Sequence, residues 1–134
     1  MASSERNLVR TLGRVGLGLL ITLEFLGMGL SGMAKFQGDT WQVMFADWGY
    51  PVWFSFLIGG LEMSGALLVL VPRLTSYAAI MLIVIMIGAL GTELLIATKL
   101  GPVMPIVHIV ILSILVFARW QRRWIPGESA GAEV

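Results

Sequence analysis

Four ionisable side chains stand inside long apolar runs of this sequence, one in each run. An ionisable group near the middle of such a run costs roughly 2.5–3.5 kcal/mol on insertion scales, so it must be paired, hydrated, protonated or bound to a ligand. Carboxylates and imidazole also commonly act as general acids and bases. With one lysine at the end of the first run, these residues are predicted to form a ligand or proton pocket: Glu24, Lys35, Glu62, Glu93 and His108.

Lys35 is predicted on the same helix face as Glu24, because eleven residues at about 100° each complete close to three turns. The two residues are roughly 16 Å apart along the axis, which is too far for a direct ion pair. We therefore expect Lys35 at the outer mouth, where it could hold an anionic or carbonyl group, and Glu24 in the interior. Glu93 and His108 flank a short connection, so His108 could pair with Glu93.

Small residues beside the carboxylates predict where helices approach each other closely. Gly27 follows Glu24 by three positions. Gly59 and Gly65 lie three positions before and after Glu62. Because small residues let the backbones of membrane helices come together, these three glycines are predicted to be helix-packing positions.

A purely structural interpretation stays open for each ionisable residue. One glutamate per helix could only tie helices together, through hydrogen bonds worth about 1 kcal/mol each. His108 could equally be a satisfied residue of the bundle. No metal site is predicted, since the Glu-x-x-His pair of di-iron bundles is absent. A two-histidine haem and an iron–sulfur cluster are also not expected, because the chain has one histidine and no cysteine.

The elements that must position these residues are membrane-spanning helices. The chain has 134 residues, of which 57% are hydrophobic and 13% charged, and its mean hydropathy is +0.89. These values differ strongly from those of soluble domains. At about 20 apolar residues per crossing, residues 1–134 form a single membrane domain with four crossings. The predicted fold is an all-α integral membrane protein, a four-transmembrane-helix bundle, with crossings at residues 15–34, 52–71, 76–98 and 102–119.

The first connection is the only long one and has its own helical pattern. Its apolar residues recur at i, i+3, i+4 and i+7, as Trp41, Met44, Phe45 and Trp48. This spacing predicts a short amphipathic interfacial helix over residues 40–48. The helix could anchor on the lipid or cover an opening between helices as a lid, and the anchor is favoured because tryptophans are common at membrane interfaces. At the other end of the chain, residues 126–134 are predicted to be a disordered tail.

The basic residues predict the orientation in the membrane. Lys35 and Lys99 lie on one side of the predicted crossings, and seven arginines lie on the other: Arg6, Arg10, Arg14, Arg73, Arg119, Arg122 and Arg123. The positive-inside rule then places both termini in the cytoplasm. A cleaved signal peptide is the alternative for the first run, which its length and its central Glu24 disfavour. The membrane-flanking arginines and the net charge of +1 indicate a lipid bilayer and no nucleic acid as partner.

Two motifs in this chain resemble the DoxX-like family of small membrane proteins. They are Gly32-Met33-Ala34-Lys35-Phe36 at the end of the first run and Gly59-Gly60-Leu61-Glu62-Met63-Ser64-Gly65 in the second. The resemblance covers roughly residues 10–118 and points to Lys35 and Glu62 as polar signature positions. The family includes the DoxD-like component of thiosulfate:quinone oxidoreductases. The resemblance implies a bacterial inner-membrane protein of a redox or quinone-linked system. Such a protein is often a partner of another membrane or periplasmic protein.

Three functions remain open on these observations. The first is a redox-associated membrane subunit that binds a quinone or another small apolar ligand between its helices, with the glutamates handling protons. The second is a non-enzymatic scaffold or chaperone whose polar stripes bind partner helices. The third and weakest is an ion or proton carrier that works as a homo-oligomer.

Overall fold

A computed structural model describes residues 2–96 and 99–123 of the chain. Within these ranges the chain forms five helices: α1 (Ala2–Ala34), α2 (Thr40–Asp47), α3 (Val52–Val69), α4 (Thr75–Ile96) and α5 (Val103–Arg123). The predicted disordered tail at residues 126–134 and the last two residues of the predicted crossing 76–98 lie outside the described residues.

Four of the described helices, α1, α3, α4 and α5, are long and apolar enough to cross a membrane. Their outward faces carry large exposed aliphatic side chains, as expected where lipid and not water surrounds a protein. The predicted all-α membrane bundle is therefore confirmed. Helix α1 has 33 residues and is about 50 Å long, so it exceeds the hydrocarbon thickness of about 30 Å.

The four long helices pack in the order α1, α3, α4, α5, and α5 closes the bundle through a thinner contact with α1. The short helix α2 packs on α3. Gly38 and Gly49 border α2 with φ values of +70° and +84°. Because glycine adopts this left-handed region without steric cost, the chain can turn sharply into and out of α2.

The hydrophobic core lies toward the end of the bundle where α1 begins and α5 ends. It contains Met28 of α1, Ala66 and Val69 of α3, Ala78, Ala79, Leu82 and Met86 of α4, and Leu112 and Leu115 of α5. At this end the Thr75 hydroxyl donates to the carbonyl oxygens of Val69 and Val71, at 2.9 and 3.0 Å, and so ties the turn between α3 and α4. Dense packing here leaves the open space of the bundle at the opposite end, beside α2.

Candidate functional site

A cavity of about 560 Å³ lies between the long helices at the α2 end of the bundle. Most of its wall is aliphatic or aromatic, with contributions from Ile58, Ile85 and Met104. Four of the five predicted pocket residues line it: Lys35, Glu62, Glu93 and His108. Glu24 is fully buried and lies behind His108.

Lys35 and Glu62 form a buried ion pair, with 2.7 Å between Nζ and Oε2. The Lys35 ammonium also donates to the Ser31 hydroxyl at 3.0 Å and lies 4.4 Å from the centre of the Trp41 ring. The Ser31 hydroxyl in turn donates to Glu62 at 3.2 Å. Lys35 is only 4% exposed. Lys35 is expected from the sequence at the outer mouth, where it could hold an anionic or carbonyl group; here its ammonium binds Glu62, because the helix crossing brings Glu62 within reach of the flexible lysine stem.

The crossing of α1 and α3 explains how this pair forms. A Cβ atom at Gly32 would lie 2.7 Å from the Gly59 carbonyl oxygen, and one at Gly59 would lie 2.9 Å from the Gly32 carbonyl oxygen. The two helix backbones therefore touch one turn before Lys35 and Glu62. Gly59 packs at this crossing, and Gly32 is an equal partner that the spacing around Glu62 did not single out.

Gly65 packs against a different helix. A Cβ atom there would lie 2.5 Å from Leu82 Cδ2 on α4, so Gly65 sets the distance between α3 and α4. The two glycines around Glu62 thus serve two interfaces, because three residues on either side of one position lie on diverging faces of a helix.

Glu24, which is fully buried, and His108, which is partly buried, form the second pair. The His108 Nδ1 atom lies 3.1 and 3.0 Å from the two carboxylate oxygens of Glu24. Gly27 makes room for the imidazole, since a Cβ atom there would lie 2.9 Å from His108 Cε1. The predicted packing position Gly27 therefore accommodates a side chain of α5.

Glu93 does not pair with His108, so that expectation is wrong. The Glu93 carboxylate accepts a hydrogen bond from the Gly101 amide at 3.1 Å, across the connection between α4 and α5. His108 lies about two helical turns further along α5, and this depth brings it to Glu24 on α1 instead. Among residues 2–96 and 99–123, no three histidine, aspartate or glutamate side chains form a set that could hold a metal ion.

Helix α2 covers the cavity with its aromatic face. Trp41, Phe45 and Trp48 line the cavity, and Phe45 is buried against the rings of Tyr50 and Phe54 at 5.9 and 6.1 Å. The aromatic face that was expected to lie on lipid thus forms part of the cavity wall, as the lid alternative requires.

A buried hydrogen bond connects α2 to the end of α1. The Gln42 side-chain amide donates to the Lys35 carbonyl oxygen at 2.9 Å. This oxygen belongs to the end of α1, where carbonyl groups lack helical partners. Gln42 thus holds α2 against the end of α1, beside the Lys35–Glu62 pair.

The cavity wall also contains a polar contact that the sequence did not predict. The Tyr50 hydroxyl lies 2.9 Å from the Thr92 hydroxyl, which also donates to the Gly88 carbonyl oxygen at 3.1 Å. With the Thr92 proton committed to Gly88, Tyr50 is the donor between the two hydroxyls. Neither residue interrupts an apolar run with a charge, so no pattern marks them in the sequence.

The cavity thus combines apolar walls with two acid–base pairs of different character. Lys35 donates to Glu62 Oε2 and to Ser31, and Ser31 donates to the same Oε2, so the polar hydrogens of this pair are used within it. The imidazole of the other pair forms part of the cavity wall, so a ligand inside the cavity can reach it. Such a site suits a small, mostly apolar molecule that carries a few polar atoms.

Comparison with known proteins supports the assignment made from the two motifs. The sequence model of the DoxX-like family matches residues 12–115, which is well over half of the chain. No curated protein and no solved structure gives a significant match. The protein is a member of the DoxX-like family.

Proposed function

We propose that this DoxX-like protein is a membrane subunit of a redox or quinone-linked system and that its cavity binds a quinone or a similar small apolar ligand. The observation that carries the proposal is the cavity of about 560 Å³, walled by apolar side chains and bordered by two acid–base pairs. Its volume falls within the roughly 300–1,000 Å³ that small-molecule sites occupy.

The wall chemistry supports an aromatic ligand. Trp41, Phe45, Trp48 and Phe54 offer ring faces and edges on one side of the cavity. Aromatic pairs with offset or edge-to-face geometry are worth about 0.5–1.5 kcal/mol beyond the area they bury. A quinone ring can use these contacts while its oxygen atoms face the polar side of the cavity.

The two other functions have less support. The scaffold hypothesis needs polar stripes that face partner helices, but Glu24 and Glu62 point inward and are paired within the chain. The carrier hypothesis needs a proton path to the end of the bundle where α1 begins and α5 ends. There the buried side chains are mainly hydrocarbon, such as Val69, Leu82 and Leu112. Both observations favour the ligand-binding function.

A cavity-filling substitution tests the proposal. Gly88 lines the cavity, and a Cβ atom at this position meets no atom within 4 Å, so the side chain of Gly88→Leu can enter the open space. In nanodiscs, decylubiquinone should quench the fluorescence of Trp41 and Trp48. We expect Gly88→Leu to weaken this binding about tenfold or more, because the leucine occupies ligand volume.

Gly91→Leu is the matched control. It adds the same side chain to the same helix, where a Cβ atom again meets nothing within 4 Å, but Gly91 does not line the cavity. This variant should bind decylubiquinone as the parent does. Equal affinity of parent, Gly88→Leu and Gly91→Leu would exclude this cavity as the binding site.

We further propose an inner-membrane location with both termini in the cytoplasm, supported by the seven arginines on the terminal side of the crossings. The chain has no cysteine, so a single introduced cysteine is its only thiol. In intact spheroplasts an impermeant maleimide should label Asp39→Cys, beside α2, and not Leu74→Cys, in the turn between α3 and α4. The reverse pattern would contradict this orientation.

A further inference from the structure

We infer that His108 Nε2 bonds an oxygen atom on the ring of the bound ligand, with Glu24 as the positioning residue. The inference rests on the proposed function and assigns the protein atom that forms a hydrogen bond with the polar end of the ligand. The inference therefore specifies the class of ligand, which is an aromatic ring that carries a carbonyl or hydroxyl group.

The pairing with Glu24 determines which edge of the imidazole is available. Both Glu24 oxygens lie within 3.1 Å of His108 Nδ1, so the carboxylate holds the Nδ1 proton and orients the ring. Both hydrogen bonds that the His108 side chain makes within residues 2–96 and 99–123 use Nδ1, and none uses the other ring nitrogen, Nε2. His108 lines the cavity and its side chain is 18% exposed. Nε2 is therefore the nitrogen that a ligand can meet.

Gly27 keeps this edge of the ring accessible from α1. A Cβ atom at Gly27 would lie 2.9 Å from Cε1 and 3.6 Å from Nε2 of His108. Gly27 also lines the cavity. Any larger residue would cover the part of the imidazole that the ligand needs.

The ammonium of Lys35 and the hydroxyl of Tyr50 already hold hydrogen bonds within the chain. Lys35 donates to Glu62 and Ser31, and Tyr50 bonds to Thr92. Glu93 accepts from the backbone of the connection between α4 and α5. A ligand carbonyl oxygen that accepts from Lys35 must displace an existing hydrogen bond, whereas one that accepts from protonated Nε2 displaces none.

The chemistry of imidazole then defines the ligand oxygen. With its proton on Nδ1, neutral His108 presents the Nε2 lone pair and accepts from a ring hydroxyl, as in a phenol or a quinol. When protonated, it presents an N–H group and donates to a ring carbonyl, as in a quinone. Both forms require an oxygen on the ring, and a plain hydrocarbon ring cannot satisfy either.

Two probes that differ by one hydroxyl group test the inference. 4-Nonylphenol and nonylbenzene would compete with decylubiquinone in the tryptophan-quenching assay. In the parent protein the phenol should bind roughly five- to tenfold more tightly, the size of one hydrogen bond. His108→Phe should abolish this preference by weakening phenol binding, while nonylbenzene binds as before.

His108→Phe leaves the Glu24 carboxylate buried without its partner, so this variant could lose ligand binding by misfolding. A second variant controls for this effect. Glu24→Leu/His108→Phe removes both polar groups, and a buried pair replaced by apolar residues is commonly tolerated. It should also show no preference for the phenol. Ser113→Ala is the control on α5, since Ser113 is exposed and its hydroxyl bonds within its own helix, and it should keep the preference.

These measurements separate the role of His108 from the proposed binding of a ligand in the cavity. A phenol preference that persists in the double variant would overturn the role of His108 and leave the cavity as the binding site. Failure of decylubiquinone and both competitors to bind the parent would overturn the proposed function and this inference together.

Discussion

Lys35→Met is expected to lower the free energy of unfolding by about 3–5 kcal/mol, because it leaves the carboxylate of Glu62 buried without its cation. The pair is 2.7 Å apart and nearly inaccessible, with side chains 5% and 3% exposed. Methionine retains most of the apolar stem, so the loss reports the charge and not the packing. Titration with a denaturing detergent, followed by helical circular dichroism, measures the change.

Two further variants test whether the loss of stability comes from the Lys35–Glu62 ion pair. Lys99→Met removes an exposed lysine at the same end of the bundle and should change the unfolding free energy by less than about 1 kcal/mol. Lys35→Met/Glu62→Leu removes both charges and should recover most of the lost stability. A free lysine at the cavity mouth would instead predict little loss for Lys35→Met, so an unchanged transition would contradict the pairing.

Gly32→Ala is expected to cost about 1–3 kcal/mol of stability, since the added methyl group overlaps with the backbone of α3. Its Cβ atom would lie 2.7 Å from the Gly59 carbonyl oxygen and 3.0 Å from the Met63 amide nitrogen. Backbone atoms cannot rotate away as a side chain can, so α1 and α3 must separate. The same detergent titration measures the loss.

Gly29→Ala is the matched control on α1. Its Cβ atom would lie 3.8 Å from the Ala66 methyl group, an ordinary contact. Because alanine favours helix over glycine by nearly 1 kcal/mol, this variant should be neutral or stabilising. If Gly32→Ala unfolds no earlier than Gly29→Ala, the helices do not cross as closely as described.

Much of the architecture could be predicted because membrane insertion depends on length and composition. Apolar runs of about 20 residues identify the crossings without any knowledge of their partners. The cost of a buried charge likewise singles out Glu24, Glu62 and His108 as residues that need partners. Both rules act on one helix at a time, so one sequence is sufficient to apply them.

The pairing of the charged groups could not be predicted, because it depends on how helices rotate and cross. The short connection between α4 and α5 made Glu93 the expected partner of His108, but proximity along the chain does not set depth in the membrane. His108 is two turns away from the connection and meets Glu24 of α1. The Gly32–Gly59 contact similarly involves two helices, and it determines that Lys35 meets Glu62.

The orientation of α2 depends on contacts that no periodicity reveals. An amphipathic pattern identifies the apolar face, but lipid and a cavity are both apolar surroundings for it. The Gln42 hydrogen bond to the Lys35 carbonyl oxygen and the contact of Lys35 with Trp41 turn this face toward the cavity. Polar contacts thus orient the apolar face of α2 toward the cavity.

The most direct test of a ligand-binding cavity is a mass spectrum of the molecules retained after gentle purification. The parent and Gly91→Leu should retain, near one per chain, a small aromatic compound with ring oxygens, and Gly88→Leu should lose it. Identical phospholipid alone in all three proteins would contradict the account. So would a second membrane chain in stoichiometric amount without any small molecule, which is the result that a scaffold predicts.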